Sequence, residues 1–293
     1  MERTRQNNKQ PSLIITSDWH LREDTPVCWT GDFDEEQWNS VLFVKRLQEQ
    51  YKCPVVHAGD LYHHWKPSPY LLTRTIKYLP KRFYTVYGQH CLPQHNLDLA
   101  IKSGVNTLAE AGALEVMGQV HYGQEPADIS SICAGLPTQR ILVWHHMTYI
   151  TPPFPGATGG QAEGLLRKYK QFDLICTGDN HQSFSTSYQG RLLVNPGSLT
   201  RQTADQMDFQ PRVALWYAET NTIEWVNIPI QQGVISREHI EVKEQRDNRI
   251  DAFISKLNGE WVAGMSFEEN LEIYLNKNTV RESVKEIIYK VTE

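Results

Sequence analysis

The sequence predicts an α/β fold, a two-sheet β-sandwich flanked by helices, with a small C-terminal helical appendage. Three observations predict it. Through the first third of the chain, apolar runs of strand length alternate with amphipathic stretches of helix length, the pattern of parallel strands joined by crossovers. From Ile132 onward, short strand-like runs follow closely on one another, which suits a second sheet packed on the first. After about Ser236 the pattern becomes helical. Residues 11–235 therefore read as one main domain and 236–293 as a small capping region.

The elements follow in order. Leu13–Thr16 is an apolar strand, and a polar loop containing Trp29 runs from Arg22 to Asp34. A helix from Glu35 to Tyr51 places Trp38, Val41 and Leu42 on one face. The strand Val55–Ala58 leads to a second helix with Pro67 and Pro69 at its start and Tyr70, Leu71 and Ile76 as its buried stripe. Phe83–Tyr87 is a further strand. The later strands are Ile132–Leu136, Ile141–Trp144, Leu174–Cys176, Leu192–Val194, Val213–Tyr217 and Ile223–Ile228.

Between them, Thr151–Gly160 is rich in Pro and Gly and reads as a loop beside His145, a pocket wall or a lid. In the appendage, Ser266 with Glu269 and Thr279 with Glu282 have capping-box spacing. They precede the stripes Phe267, Leu271, Tyr274, Leu275 and Val284, Ile287, Ile288, Val291, which read as packing faces.

Composition sets limits on function. A net charge of −5 excludes a broadly basic nucleic-acid binder. DNA contact would need a local patch, such as Lys66, Arg74, Lys77, Lys81 and Arg82, or Arg167, Lys168 and Lys170. Cys28, Cys53, Cys91, Cys133 and Cys176 form an odd set without paired spacing, which argues for reduced thiols and against a structural zinc cluster. Met1–Gln10 is too hydrophilic for a signal peptide, and no apolar stretch spans a bilayer, so the expected location is cytoplasmic and off the membrane.

Five apolar runs each close on a short polar motif: Asp18-Trp19-His20, Gly59-Asp60, Gly88-Gln89-His90, His145 and Gly178-Asp179-Asn180-His181. Singly, each is an ordinary turn. Groups just beyond the carboxyl ends of strands share one crevice, however, so together they converge. Hydrolysis of a phosphate ester needs a hydroxide at neutral pH and neutralisation of growing negative charge, and two divalent ions supply both. Asp60 reads as the bridge, with Asp18, His20 and His181 on one ion and Gln89, His145 and Asp179 on the other.

Other histidines fit blander roles. His57 lies within a strand and reads as a core residue, while His64, His95, His121 and His239 read as surface polar groups. His146 competes with His145, which comes first after the apolar run. Trp19 reads as packing, with base stacking as the alternative.

The ordered set Asp-x-His, Gly-Asp, Gly-Asn-His-Asp, His, Gly-His-x-His resembles the calcineurin-like metallophosphoesterase family over roughly Leu13–Trp225. Gly59-Asp60-Leu61-Tyr62-His63 is also similar to the Gly-Asp-Leu-Phe-His signature of DNA-repair exonuclease subunits of the SbcD type. The resemblance implies two divalent ions, Mn2+ foremost and Mg2+, Fe2+ or Zn2+ as alternatives, and DNA as the substrate. It implies that His90 protonates the leaving oxygen or stabilises the transition state, that His63 lies on the substrate side, and that Asn195-Pro196-Gly197-Ser198 is a turn beside the metals.

An SbcC-type coiled-coil ATPase is the implied partner, with Phe267, Leu271 and Tyr274 as a docking face; a homodimer is compatible. The alternatives are a phosphodiesterase or phosphatase of nucleotides or small phosphate esters, and a non-catalytic metal-binding module. Three positions depart from the family pattern. Gln89 stands for Asn, Asp179 for the first His of the last motif, and Cys91 for the acid that would orient His90, which leaves either a slower site or a substitute in Asp98 or another acid.

Overall fold

The structure, a computed structural model, describes residues 10–117, 120–126, 139–152, 156, 158–260 and 267–292. The chain divides into two compact units, Met1–Ser236 and Arg237–Glu293.

In the larger unit the strands are β1 (Leu13–Thr16), β2 (Val55–His57), β3 (Phe83–Thr85), β4 (Glu115–Val116), β5 (Ile141–His145), β6 (Thr148–Tyr149), β7 (Gly160–Gln161), β8 (Leu174–Gly178), β9 (Phe184–Tyr188), β10 (Arg191–Asn195), β11 (Arg212–Tyr217) and β12 (Thr222–Asn227). Its helices are α1 (Phe33–Tyr51), α2 (Pro69–Tyr78), α3 (Gly104–Glu110) and α4 (Ala162–Lys168). One sheet has the order β12-β11-β1-β2-β3-β4, a second β5-β8-β10-β9, and β6 and β7 form a small ribbon. The α/β two-sheet fold class is the one observed. The run Ile132–Leu136 and part of the segment Thr151–Gly160 lie outside the described residues.

β1 to β4 pair in parallel, as crossovers through helices require, whereas β11 is antiparallel to β1 and β12 to β11. This corrects the sequence reading, which put Val213–Tyr217 and Ile223–Ile228 in the second sheet. They extend the first. β1 starts the parallel series and leaves one edge open, and β11 covers it with its alternation in phase. Ala214 and Trp216 face the layer between the sheets, while Val213 and Leu215 face the helices.

That middle layer joins Leu13, Ile15, Val56 and Val86 of the first sheet to Ile141, Val143, Leu174, Cys176 and Val194 of the second. Both sheets are apolar on their outer faces too. One is covered by Trp38, Val41, Val44 and Leu71 of α1 and α2, the other by Leu165 and Leu166 of α4. Strands buried on both sides read as continuous apolar runs, which is why they were conspicuous in the sequence.

The helix starts have identifiable causes. Asp32 caps α1 by accepting the Glu35 amide at 2.9 Å, and Ser68 caps α2 by accepting the Leu71 amide at 3.1 Å, with Pro69 in the first turn. The predicted stripe of α2 is only partly right. Leu71 is buried, but Tyr70 is 61% and Ile76 48% exposed. The inward face is Leu71 and Thr75, one turn apart. Tyr70 instead lies beside the Arg74 guanidinium, which stacks on Trp38 and pairs with Asp34.

His57, fully buried in β2, has one ring nitrogen 2.9 Å from the Thr85 hydroxyl and the other unpartnered. Burial pushes its pKa down to about 3, against partial opposition from Asp18. The unfolded chain takes up this proton near pH 6.5, while the folded chain refuses it until about pH 3. Stability is therefore full above 6.5 and falls as pH drops through that window, by about 1.4 kcal/mol per unit from this group. Replacing His57 with Phe, which fits against Trp19 and Phe83, reduces proton uptake on unfolding by about one at pH 5. Urea denaturation of both proteins at pH 5 and pH 7 measures it; equal pH slopes would refute the assignment.

The smaller unit contains α5 (Glu238–Glu260), α6 (Phe267–Lys277) and α7 (Glu282–Thr292). Leu271, Tyr274 and Leu275 are buried against Val280 and Ile288. Leu271 and Tyr274 therefore belong to the core of this unit and are not available as an external docking face. Ser266 lies outside the described residues, and α7 begins at Glu282 itself, so Thr279 is not its cap. Among the described residues no helix is long and apolar enough to cross a membrane.

Candidate metal centre

The sandwich brings the ends of β1, β2, β5 and β8 to one edge, and each continues into a candidate ligand. Asp18, His20, Asp60 and Asp179 adopt positive φ values of 49°, 43°, 57° and 80°. Such left-handed backbone at non-glycine residues is costly and persists where surroundings enforce it. The enforcement is visible. The Asp18 and His20 amides donate to the Gly59 and Asp60 carbonyls, each at 3.0 Å, and the Asp179 amide donates to both carboxylate oxygens of Asp18 at 3.1 and 3.2 Å. Asn195 holds the last loop from behind, donating to the Asn180 and Gln182 carbonyls at 2.6 and 2.7 Å. Ser198 N reaches the His181 carbonyl, so the Asn195–Ser198 turn does lie against this edge.

The side chains converge. His20 Nε2 lies 3.2 Å from His181 Nε2 and 3.7 Å from Asp18 Oδ1, and His181 Nε2 lies 3.8 Å from the same oxygen. On the other side His145 Nε2 is 3.3 Å from Asp60 Oδ2 and 3.8 Å from Asp179 Oδ1, while Gln89 Nε2 donates to Asp179 Oδ1 at 2.5 Å. Asp60 Oδ2 also lies 3.9 Å from His20 Nε2, so this carboxylate adjoins both groups. All seven predicted ligands are thus at one place. His145 is the inward member of its pair: its Nδ1 lies 2.7 Å from the Ala58 carbonyl, which leaves Nε2 as the nitrogen that would give up its proton to bind a cation. His146 stacks on Trp144 at 3.8 Å. Trp19 is buried and donates to Thr16, as packing predicts.

The residues fit a pair of cations on an internal criterion. Asp60 Oδ2 and His145 Nε2, 3.3 Å apart, and Gln89 Oε1 are buried without a well-formed hydrogen bond. Buried polar atoms in native proteins are nearly always satisfied, and three gathered on one cluster call for a common partner. Three sets have ligand atoms close enough to share an ion: Asp18-His20-His181, Asp18-Asp60-His145 and His20-His63-His90.

The electrostatics agree. Burial alone would raise Asp18, but the hydrogen bond from His20 and the charges on His145 and His181 hold its carboxyl far below the usual range. Burial would lower His145, and Asp60, Asp18 and Asp179 outweigh it and push its pKa up to about 10. A field that binds a proton so firmly to an imidazole attracts a dication more strongly still.

Beside this cluster the His90 ring lies edge-on to His20 at 4.8 Å, and His63 stacks on His90 at 5.4 Å and 24°. His90 Nδ1 is 2.9 Å from the His63 carbonyl, and its amide donates to Asp60 Oδ1 at 2.9 Å. This corrects the reading of Cys91. The group that orients His90 is a backbone carbonyl, not a carboxylate: Asp98 is exposed, and Cys91 is buried, its thiol pushed up to about 12 by burial and by Asp60. Burial together with Arg22 and His20 pushes His63 down to about 4, so its ring is neutral near pH 7. A cleft of about 240 Å³ opens next to His63, lined also by Arg22, Asp24, Lys66 and Ser68.

Two participants had no signal in the sequence. The Ala58 carbonyl is one. Tyr122 is the other, its ring 6.3 Å from that of His145. It stands in a polar stretch without periodicity, and the contact of its amide with the Tyr87 carbonyl and the bridge of Val120 to Trp144 bring it here.

Glycines keep the centre open. A Cβ on Gly88 would sit 2.2 Å from Asp60 Oδ1 and 2.7 Å from the Asp60 amide. Gly88 has an ordinary extended backbone, φ −97°, so the obstacle is contact and not conformation. Gly88→Ala is expected to destabilise the fold by about 1–3 kcal/mol and to displace the Asp60 carboxylate. Thermal melting together with the metal content of the purified variant measures both effects; a variant with wild-type metal content contradicts the placement.

Carboxylates and imidazoles gathered at strand ends, with a further histidine pair alongside, define a metal-dependent hydrolase centre. The chain belongs to the calcineurin-like phosphoesterase superfamily, whose domain profile matches residues 12–220 and whose members bind divalent metals. No curated protein matches the sequence. Among solved structures, an archaeal phosphodiesterase is similar at 14% identity, covering 73% of this chain and 98% of its own, with a TM-score of 0.42. Vps29 from Entamoeba histolytica, solved with Zn2+, is similar at 14% identity over 74% of this chain and 99% of its own, with a TM-score of 0.36.

Proposed function

We propose that this protein is a two-metal phosphodiesterase that hydrolyses DNA, of the SbcD type. The observation that carries the metal part is the cluster of buried ligand atoms on Asp60, His145 and Gln89 that lack a well-formed hydrogen bond. Asp18, His20 and His181 would hold one ion, Gln89, His145 and Asp179 the other, and Asp60 would contribute to both. When bound, two divalent ions supply a hydroxide at neutral pH and neutralise charge building on the phosphoryl oxygens.

The chain's own groups do the rest. His90, anchored through Nδ1 to the His63 carbonyl, would deliver a proton from its other ring nitrogen to the leaving oxygen. The neutral, half-buried His63 ring stacks behind it and keeps it upright. Support for a nucleic-acid diester comes from the Gly59–His63 pentapeptide and from the cleft beside His63, where Lys66 can meet a neighbouring phosphate while Arg22 is paired with Asp24. The second basic patch has less to offer, since Arg167 is paired with Glu163 and Lys168 with Glu125.

The test is Mn2+-dependent hydrolysis of labelled single- and double-stranded DNA beside a small phosphodiester. Degradation of DNA supports the reading. Turnover of the small ester alone would replace it with a small-molecule phosphodiesterase, and metal binding with no turnover would replace it with a non-catalytic module.

A further inference from the structure

Two of the three departures from the family pattern touch each other. Gln89 stands where Asn is usual and Asp179 where His is usual, and the Gln89 amide nitrogen donates to Asp179 Oδ1 at 2.5 Å. The opposite amide orientation would set two oxygens at that distance, one of them on a carboxylate, so the N–H must face Asp179. This leaves Oε1 as the free end, and it is buried without a partner.

Resting on the two-metal reading above, we propose that Gln89 and Asp179 are one mutually dependent positioning pair. Asp179 turns the Gln89 amide so that its oxygen points at the second cation. Gln89, longer by one methylene than Asn, bridges the gap to a carboxylate that is shorter than the imidazole it replaces. Neither substitution works alone. With Asn at 89, the amide no longer spans to Asp179; with His at 179, the Gln89 N–H loses its anionic acceptor and the carbonyl its fixed direction.

The pair also sets the chemistry of that position. Asp60, Gln89 and Asp179 offer oxygens and only His145 a nitrogen, whereas the first position has two imidazoles, His20 and His181. Hard cations such as Mn2+ or Mg2+ gain at an oxygen-rich site relative to Zn2+.

The experiment is calorimetric titration of metal-free protein with Mn2+ and, separately, Zn2+, for wild type, Gln89→Asn, Asp179→His and the double variant. Thermal melting in EDTA establishes that each is folded. Wild type is expected to bind two Mn2+. Each single variant keeps the first ion and binds the second at least about tenfold more weakly. The double variant regains the second ion to within about threefold and shifts it toward Zn2+.

Asp179→Asn, which keeps an acceptor for the Gln89 N–H while removing charge, is expected to lose less than Asp179→His. A double variant as weak as the product of the two single losses, in a wild type that binds two ions, would overturn the pairing while leaving the two-metal reading intact. A wild type that binds fewer than two ions would overturn that reading and the pairing with it.

Discussion

Asp60→Ala is expected to lower kcat/KM on any phosphodiester by roughly three orders of magnitude or more, about 4 kcal/mol of transition-state stabilisation. The reasoning is positional. Asp60 Oδ2 lies 3.3 Å from His145 Nε2 and 3.9 Å from His20 Nε2, so it adjoins an imidazole of each proposed position. Its other oxygen accepts the His90 amide at 2.9 Å, which fixes the loop carrying the proposed proton donor. One substitution therefore removes the shared ligand and loosens the acid. Metal content should fall together with activity. Steady-state kinetics with metal analysis of the same preparation checks this; a variant that keeps both ions and wild-type rate would refute the bridging role.

His90→Ala should separate the two losses. The His90 ring is beside the cluster, with Nδ1 committed to the His63 carbonyl, and it holds no ion in the proposed scheme. Its removal is expected to cost about 10²–10⁴-fold in kcat, the range for a positioned general acid, with metal stoichiometry unchanged. The loss should be largest for substrates with poor leaving groups and small for an activated aryl ester, whose departing oxygen needs no proton. Equal losses on both substrate types would assign His90 to binding or structure instead of proton transfer.

What the sequence disclosed depended on how local the cause was. The ligand motifs were legible because each terminates an apolar run, and chain geometry sends strand ends to a common edge. The capping of α2 by Ser68 and Pro69 is a local event of the same kind. β11 was misplaced because the choice of sheet is a long-range matter, settled by the open edge of β1 and by Trp216 fitting the layer between the sheets.

Tyr70 and Ile76 were assigned inward by hydrophobicity. The face of α2 that packs is set by Leu71 and Thr75, and an aromatic residue outside is held by Arg74. The partner of His90 was sought among acids because sequence shows side chains. The group that holds it is a main-chain carbonyl, which no residue type announces. Gln89 and Asp179 are two separate departures in the sequence, and only their contact makes them a pair.

The most direct test of the two-metal centre is anomalous diffraction from crystals of the protein grown with Mn2+. Two peaks are expected flanking the Asp60 carboxylate, one among Asp18, His20 and His181 and the other among Gln89, His145 and Asp179. A single peak, or manganese bound away from Asp60, would contradict it.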